Sequence, residues 1–326
     1  MDNKTTQNIF DMNFMNNFHL CLYRPTNYEP NEKVTVSNME FYRRLNTKIG
    51  DLFDDNFDWS GVMIAGGLIS GLMEKKAEMK EYEKSDIDIF VYDPESNKNR
   101  IINKMIQIYN YFVDKLEKKF YAYIMVPNST IMTIIIPGKC SIQVIGTLYK
   151  SEMQILKSFD LTHCQIGFNG NGLVFTEDFI EAIRSKITKI NTNCIDLYRL
   201  VKAYRRGYSI HKHSNCGIIN VIRDHYASND SEEISYYKYC DINQLSSLFN
   251  EIINDPVVNH NLMKNYIPTK LPSSIEEAQQ EMEKIGEAYV GKNKYLIINN
   301  CNTSIFINKL DDKFGFVQTF SPKSMD

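Results

Sequence analysis

An apolar run closed by two glycines, GVMIAGG at 61–67, precedes a helical pattern and then SDIDIFVY at 85–92; this arrangement constrains the chain more than any other feature. The first run reads as a buried strand ended by Gly66 and Gly67. The second alternates acidic and apolar positions before becoming wholly apolar, the mark of a strand whose first turn faces solvent. Residues two apart on a strand share a face, so Asp86 and Asp88 present both carboxylates to one point while Ile87 and Ile89 bury. Such a pair suits Mg²⁺ or Mn²⁺, which takes hard oxygen ligands and completes its shell with water and phosphate oxygens. Gly66 and Gly67 let the backbone approach a triphosphate, the next helix offers free N–H groups, and Ser70, one turn in, adds a hydroxyl.

The remaining pattern predicts an α/β (α+β) fold: a mixed sheet flanked by helices, then a mainly helical region with a small C-terminal antiparallel sheet. A helix is expected over 37–53, another over LISGLMEKKAEMKEYEK, and a third over 100–119. Strands are expected at FYAYIMV, TIMTIII and SIQVIGTLY. After residue 150 a short helix, SEMQILKS, leads to FDLTHCQIGF as a strand. NGNG then makes a turn, LVF a returning strand, and TEDFIEAIRSK a helix. From about 215 to 290 the pattern reads as helical, and YLIINN, SIFINKL and GFVQTF as closing strands. The division is an N-terminal extension over 1–55, a catalytic domain over 56–190 and a mainly helical domain over 191–326.

With 326 residues the chain has room for two ordinary domains. Its apolar runs are far shorter than the roughly 20 residues that cross a bilayer, and it opens without a secretory pattern, so an intracellular, cytoplasmic protein with no membrane partner is expected. The 7 cysteines are scattered and never paired as CxxC, which argues for reduced thiols. A formal net charge of −3 leaves any RNA contact to a local basic patch. One candidate patch is IDLYRLVKAYRRGY at 195–208, where Arg199, Lys202 and Arg206 share a helical face near Tyr204 and Tyr208. Either Lys202 and Arg206 reach a triphosphate or RNA backbone while a tyrosine stacks on a base, or the face is a solvated one with aromatic core residues opposite. His211, His213 and Cys216 lack the spacing of a closed zinc site, and Asp224 and His225 lack a nucleophile; both groups read as surface or helix-packing residues.

The stretch AGGLISGLMEKK…SDIDIFVY resembles the signature of the polymerase-beta-like nucleotidyltransferase superfamily, which includes poly(A) polymerases and CCA-adding enzymes. SIQVIGTLYKSEMQILKSFDLTHCQIGFNGNG extends the resemblance, which covers about 60–210. FDLTHCQIGF and KAYRRGY are also similar to nucleotidyltransferase-like proteins of large DNA viruses, which implies a viral protein. The resemblance implies attack of a hydroxyl on the α-phosphate of an NTP, with ATP the expected substrate, Asp86 and Asp88 as metal ligands, and a nucleic-acid 3′ end as acceptor, as in RNA polyadenylation. A third carboxylate is usual on a later strand; here that place holds Gln143, an amide that cannot act as a base. Asp160, at the start of the next acidic strand, either substitutes for it as a catalytic residue or is a turn or strand-edge residue. A catalytically degenerate binding or scaffold subunit, or a toxin-like enzyme modifying another acceptor, are the alternatives.

Overall fold

The computed structural model describes residues 20–29, 32–82, 85–116, 122–128, 131–136, 139–211, 218–223, 236–241 and 295–298. The first described elements are strand β1 (Leu20–Leu22) and helix α1 (Asn38–Ile49). Ser37 caps α1 by accepting a hydrogen bond from the Glu40 backbone N–H at 3.2 Å, a contact worth about 1 kcal/mol. Phe41, Leu45 and Ile49 recur every four residues and are buried. They join the same core cluster as the central strands.

Strand β2 (Val62–Ala65) leads through Gly66 into helix α2 (Gly67–Met73), and strand β3 (Ile87–Tyr92) into helix α3 (Lys98–Leu116). Strands β4 (Ala122–Asn128), β5 (Ile131–Ile136) and β6 (Cys140–Tyr149) follow, then helix α4 (Glu152–Lys157). Strands β7 (Ile166–Phe168) and β8 (Leu173–Phe175) precede helix α5 (Glu177–Ser185), whose cap is Thr176. Next come β9 (Ile187–Lys189), β10 (Cys194–Asp196), helix α6 (Leu197–Arg205) and β11 (Ser209–His211). Three further strands are described: β12 (Ile218–Arg223), β13 (Tyr236–Asp241) and β14 (Tyr295–Ile298).

The central sheet is mixed, in the order β14-β4-β5-β6-β3-β2-β7-β8. Only β3 and β6 run parallel within it; the other neighbours are antiparallel. Two small sheets, β1-β11-β9 and β10-β12-β13, stand beside it. The period of two works as the pattern predicts: Ile87, Ile89 and Val91 enter the cluster shared with α1 and α3, while Phe90 faces the opposite side with Met63, Ala65, Ile155 and Leu156. Asp88 shares the face of Phe90.

Three expectations are corrected. The helix after the glycines ends at Met73, because Glu74 adopts an extended conformation, pairs with Thr35 and turns its carboxylate inward to Lys186 and Tyr208. Arg44 covers the orphaned end by donating from Nη1 to the Glu74 carbonyl at 2.8 Å. The stretch FDLTHCQIGF is only partly a strand: Thr162–Cys164 forms a 3₁₀ turn and β7 starts at Ile166, so Asp160 stands on a bend rather than a strand. In the region expected to be helical, 218–223 and 236–241 are paired strands, while the rest of 215–290 lies outside the described residues, as do SIFINKL and GFVQTF.

Beneath these elements lies a buried polar cluster. The His163 ring stacks on Tyr208 with centroids 4.4 Å apart, and its Nδ1 lies 2.9 Å from Thr188 Oγ1. Burial first, then the charges of Arg206 and Lys186, hold His163 well below its ordinary pKa of 6.5. The folded protein therefore refuses a proton that the unfolded chain accepts below 6.5, and stability falls as the pH drops beneath that value. Thermal denaturation between pH 7.5 and about 5 should show this loss in the wild type and a shallower acid limb in His163→Gln.

Candidate functional site

Parallel pairing of β3 with β6 sets the geometry. Asp88 lies opposite Gln143, so an amide stands beside the Asp pair. Gln143 Nε2 donates to Asp86 Oδ2 at 3.5 Å. Burial first, and the neighbouring charge of Asp86 second, push the Asp88 carboxyl up to about 7. Arg199, Lys202 and Arg206 pull it the other way. Asp86 and Asp88 thus act on each other at one corner, and three cations of α6 and its end act on the same spot.

The glycine corner adjoins this pair. A Cβ added to Gly66 would stand 3.7 Å from Asp88 Oδ2 and 3.0 Å from the Phe159 ring. Gly66 has φ +99° and ψ −151°, a conformation that side chains essentially never adopt. At Gly67 the missing side chain makes room for Arg206, whose Nη1 would lie 2.5 Å from an added Cβ. One turn on, a Cβ at Gly71 would meet the Tyr82 ring at 2.4 Å. Gly67 and Gly71, four apart on α2, therefore form a groove that seats a stack of Tyr82 and Arg206, with the guanidinium 4.4 Å from the ring centroid. Arg206 Nη2 also donates to Ser85 Oγ at 2.9 Å. Gly66→Ala is expected to cost about 1–3 kcal/mol from backbone strain. Gly67→Ala needs only a shift of a flexible guanidinium and should cost less than about 1 kcal/mol; chemical denaturation of the two variants compares them directly.

Other expected residues fall elsewhere. Ser70 has no exposed surface, so its hydroxyl does not reach a ligand from this position. Tyr208 is equally buried and cannot stack on a base. The ring of Tyr204 is covered by Arg24, 5.1 Å from its centroid. The exposed aromatic on this helix is Tyr198, against which Lys202 Nζ lies at 5.5 Å. Burial first, then Arg206, lower the Lys202 pKa, while Asp86 and Asp88 raise it. His211 lies on β11, whereas His213, Cys216, Asp224 and His225 lie outside the described residues.

Asp160 keeps an ion-pair partner in the site. It pairs with Arg199 at 3.0 Å, and among the described residues no group of three His, Cys, Asp or Glu is arranged to hold a metal ion. Both it and Asp88 line a cavity of about 420 Å³ with Gln143, Phe159, Asp196 and Arg199. The Cys164 thiol, pushed up to about 12 by burial, is not a nucleophile there. Asp86 and Asp88, with the Gln143 amide beside them, offer the hard oxygen donors that a magnesium-type ion takes when substrate phosphates supply the rest of its shell. A carboxylate pair in which burial first, and the neighbouring charge second, raise one member's pKa is the electrostatic complement of such a cation.

Residues 39–186 match the model of the Gabija anti-defense 2 family. The matched region contains the carboxylate pair, the glycine corner and Asp160, and stops short of Lys202 and Arg206. An uncharacterized protein of Acanthamoeba polyphaga mimivirus is 27% identical over 177 residues, which cover 48% of this chain and 37% of that protein. A solved structure, the apo form II of a CCA-adding enzyme, has a TM-score of 0.33 and 14% identity, covering 55% of this chain and 45% of that one. The chain thus spans less than half of either protein, and its fold is judged from its own strand order. Among the described residues, no helix is long and apolar enough to cross a membrane.

Proposed function

We propose that this chain is a nucleotidyltransferase that holds a nucleoside triphosphate, ATP foremost, with Mg²⁺ or Mn²⁺ at Asp86 and Asp88, and passes the nucleoside monophosphate to a hydroxyl. The observation that carries this reading is the glycine corner itself, where an added Gly66 Cβ would stand 3.7 Å from Asp88 Oδ2 and Arg206 packs against Gly67. A divalent ion bound there would neutralise charge on the phosphates and on the departing pyrophosphate. Lys202 and Arg206 offset the charge of the β- and γ-phosphates, and Arg206, already stacked and hydrogen-bonded, loses little freedom in doing so. The acceptor oxygen forms a bond to the α-phosphorus as the bond to the bridging oxygen breaks and pyrophosphate leaves. Gln143 takes no proton, so the acceptor's proton passes to solvent or to a phosphate oxygen.

The acceptor is a nucleic-acid 3′ hydroxyl in the first instance. Similarity to a Gabija anti-defense family supports a role in countering a defence system, in which case a component of that system is the acceptor. Gln143 favours a second reading, nucleotide binding without transfer.

The test is incubation with each α-labelled NTP, Mg²⁺ or Mn²⁺, and either RNA or Gabija proteins. A labelled acceptor with release of pyrophosphate supports transfer. Saturable binding without label selects the second reading, and absence of NTP binding overturns both.

A further inference from the structure

Between the glycine corner and the small β1-β11-β9 sheet, the protein buries a charged pair that the proposed chemistry does not use. Lys186 Nζ pairs with Glu74 Oε1, with side chains only 5% and 1% exposed. Tyr208, fully buried, donates from its hydroxyl to Glu74 Oε2 at 3.1 Å, and Lys186 Nζ lies 3.8 Å from the Tyr208 ring centroid. Lys186 takes a left-handed conformation, φ 55°, where the chain passes from α5 into β9. Removing both charges from water costs several kcal/mol per ion, so such a pair is often neutral or unfavourable for stability when compared with apolar residues of the same size. Its position in the fold gives another reason for it.

Helix α2 is clamped at both ends by one short stretch of chain. Arg206 lies against Gly67 at its first residue, and Tyr208 bonds to Glu74 just past its last. Gly207, with φ +92°, makes the turn between the two contacts, and the backbone N–H groups of Gly207 and Tyr208 donate to Tyr204 and Ala203, closing the end of α6. The position of Arg206 is therefore set by two groups of contacts. One is local, Tyr82 and Ser85; the other is the remote Glu74–Lys186–Tyr208 cluster, which fixes the chain two residues on.

We infer that Glu74, Lys186 and Tyr208 are positioning residues that hold Arg206 at the glycine corner, ready for a phosphate; the phosphate part rests on the nucleotidyltransferase reading. Their contribution is to order Arg206 before the ligand arrives, so that binding spends less entropy on the guanidinium.

The test compares the wild type with the double variant Glu74→Gln, Lys186→Met and with Tyr208→Phe. Three properties are measured: thermal stability, the rate at which phenylglyoxal modifies Arg206 relative to exposed Arg184, and affinity for Mg²⁺–ATP. In the folded double variant Arg206 should be modified several-fold faster than before relative to Arg184 and the ATP Kd should rise about tenfold. A merely structural cluster would move the melting temperature and leave the other two ratios alone. Unchanged Arg206 reactivity in a folded variant overturns the inference. If the wild type binds no Mg²⁺–ATP yet Arg206 reactivity rises in the variants, the positioning role stands and the nucleotide reading fails. Should the double variant not fold, Tyr208→Phe, which deletes one hydroxyl, decides by the same reactivity ratio.

Discussion

Asp86→Ala combined with Asp88→Ala is expected to abolish nucleotide transfer, a loss of roughly 10³-fold or more, while the protein stays folded. The size follows from the division of labour at the site. Transfer from a triphosphate asks for charge neutralisation and alignment more than for covalent chemistry, and the two carboxylates are the groups able to hold the cation that supplies them. Folding should survive because Ile87, Ile89 and Val91, on the other face of β3, anchor the strand in the core. Labelled-NTP transfer and circular dichroism on the same preparation check both halves. Activity persisting in the folded double variant would remove the chemistry from this corner. Single variants should each lose most of the effect, since residues that act as a unit are strongly non-additive.

The second large effect is a cation-dependent response to pH. The Asp88 carboxyl is pushed from 3.8 up to about 7, first by burial and then by Asp86. Between those values the folded state keeps a proton that the unfolded chain has lost. Stability is therefore fully present below 3.8 and is lost as the pH rises through about 7. In the half-buried setting of Asp88 a loss of roughly 1–3 kcal/mol is expected. A divalent cation held by this pair would need its ionised form, so added Mg²⁺ should raise the melting temperature more at pH 8 than at pH 5.5. Asp88→Asn removes the like charge: in EDTA at pH 8 it should be more stable than the wild type, and its response to Mg²⁺ should be much weaker. Equal Mg²⁺ shifts at the two pH values, or in the two proteins, would falsify a carboxylate-held cation.

Both effects depend on side chains whose roles differ in how visible they are from the sequence. Asp86 and Asp88 were legible because strand periodicity is local: two residues on an extended chain share a face whatever else the chain does. The parallel partner strand placed Gln143 opposite Asp88, as the spacing of the motif suggested. Arg206 was legible as part of a basic helical face, but its seat was not. Tyr82, in a charged run that reads as helix, and Gly71, inside the apolar helix before it, carried no signal, and they matter only because α2 stops early and the chain folds back under Arg206.

Glu74 shows the same limit from the other side. Helix propensity carries EKKAEMKEYEK onward, since Glu, Lys, Ala and Met all favour a helix. The helix ends where Glu74 turns extended, pairs with Thr35 and places its carboxylate on Lys186, 112 residues away, contacts that local propensity does not register. Asp160 was ambiguous for a related reason: a carboxylate near a strand has no fixed role until its neighbours are known, and here Arg199 claims it.

The sequence by itself determined the alternation of the strands, the capped helices, the glycine corner and the carboxylate pair, because each is written within a few neighbouring residues. The tertiary structure alone decided which cations reach that pair, that Arg206 rather than open space occupies the Gly67 groove, and that Ser70 and Tyr208 are sealed in the core. Those outcomes depend on contacts between residues far apart in the chain, where burial and charge pairing outweigh local preference.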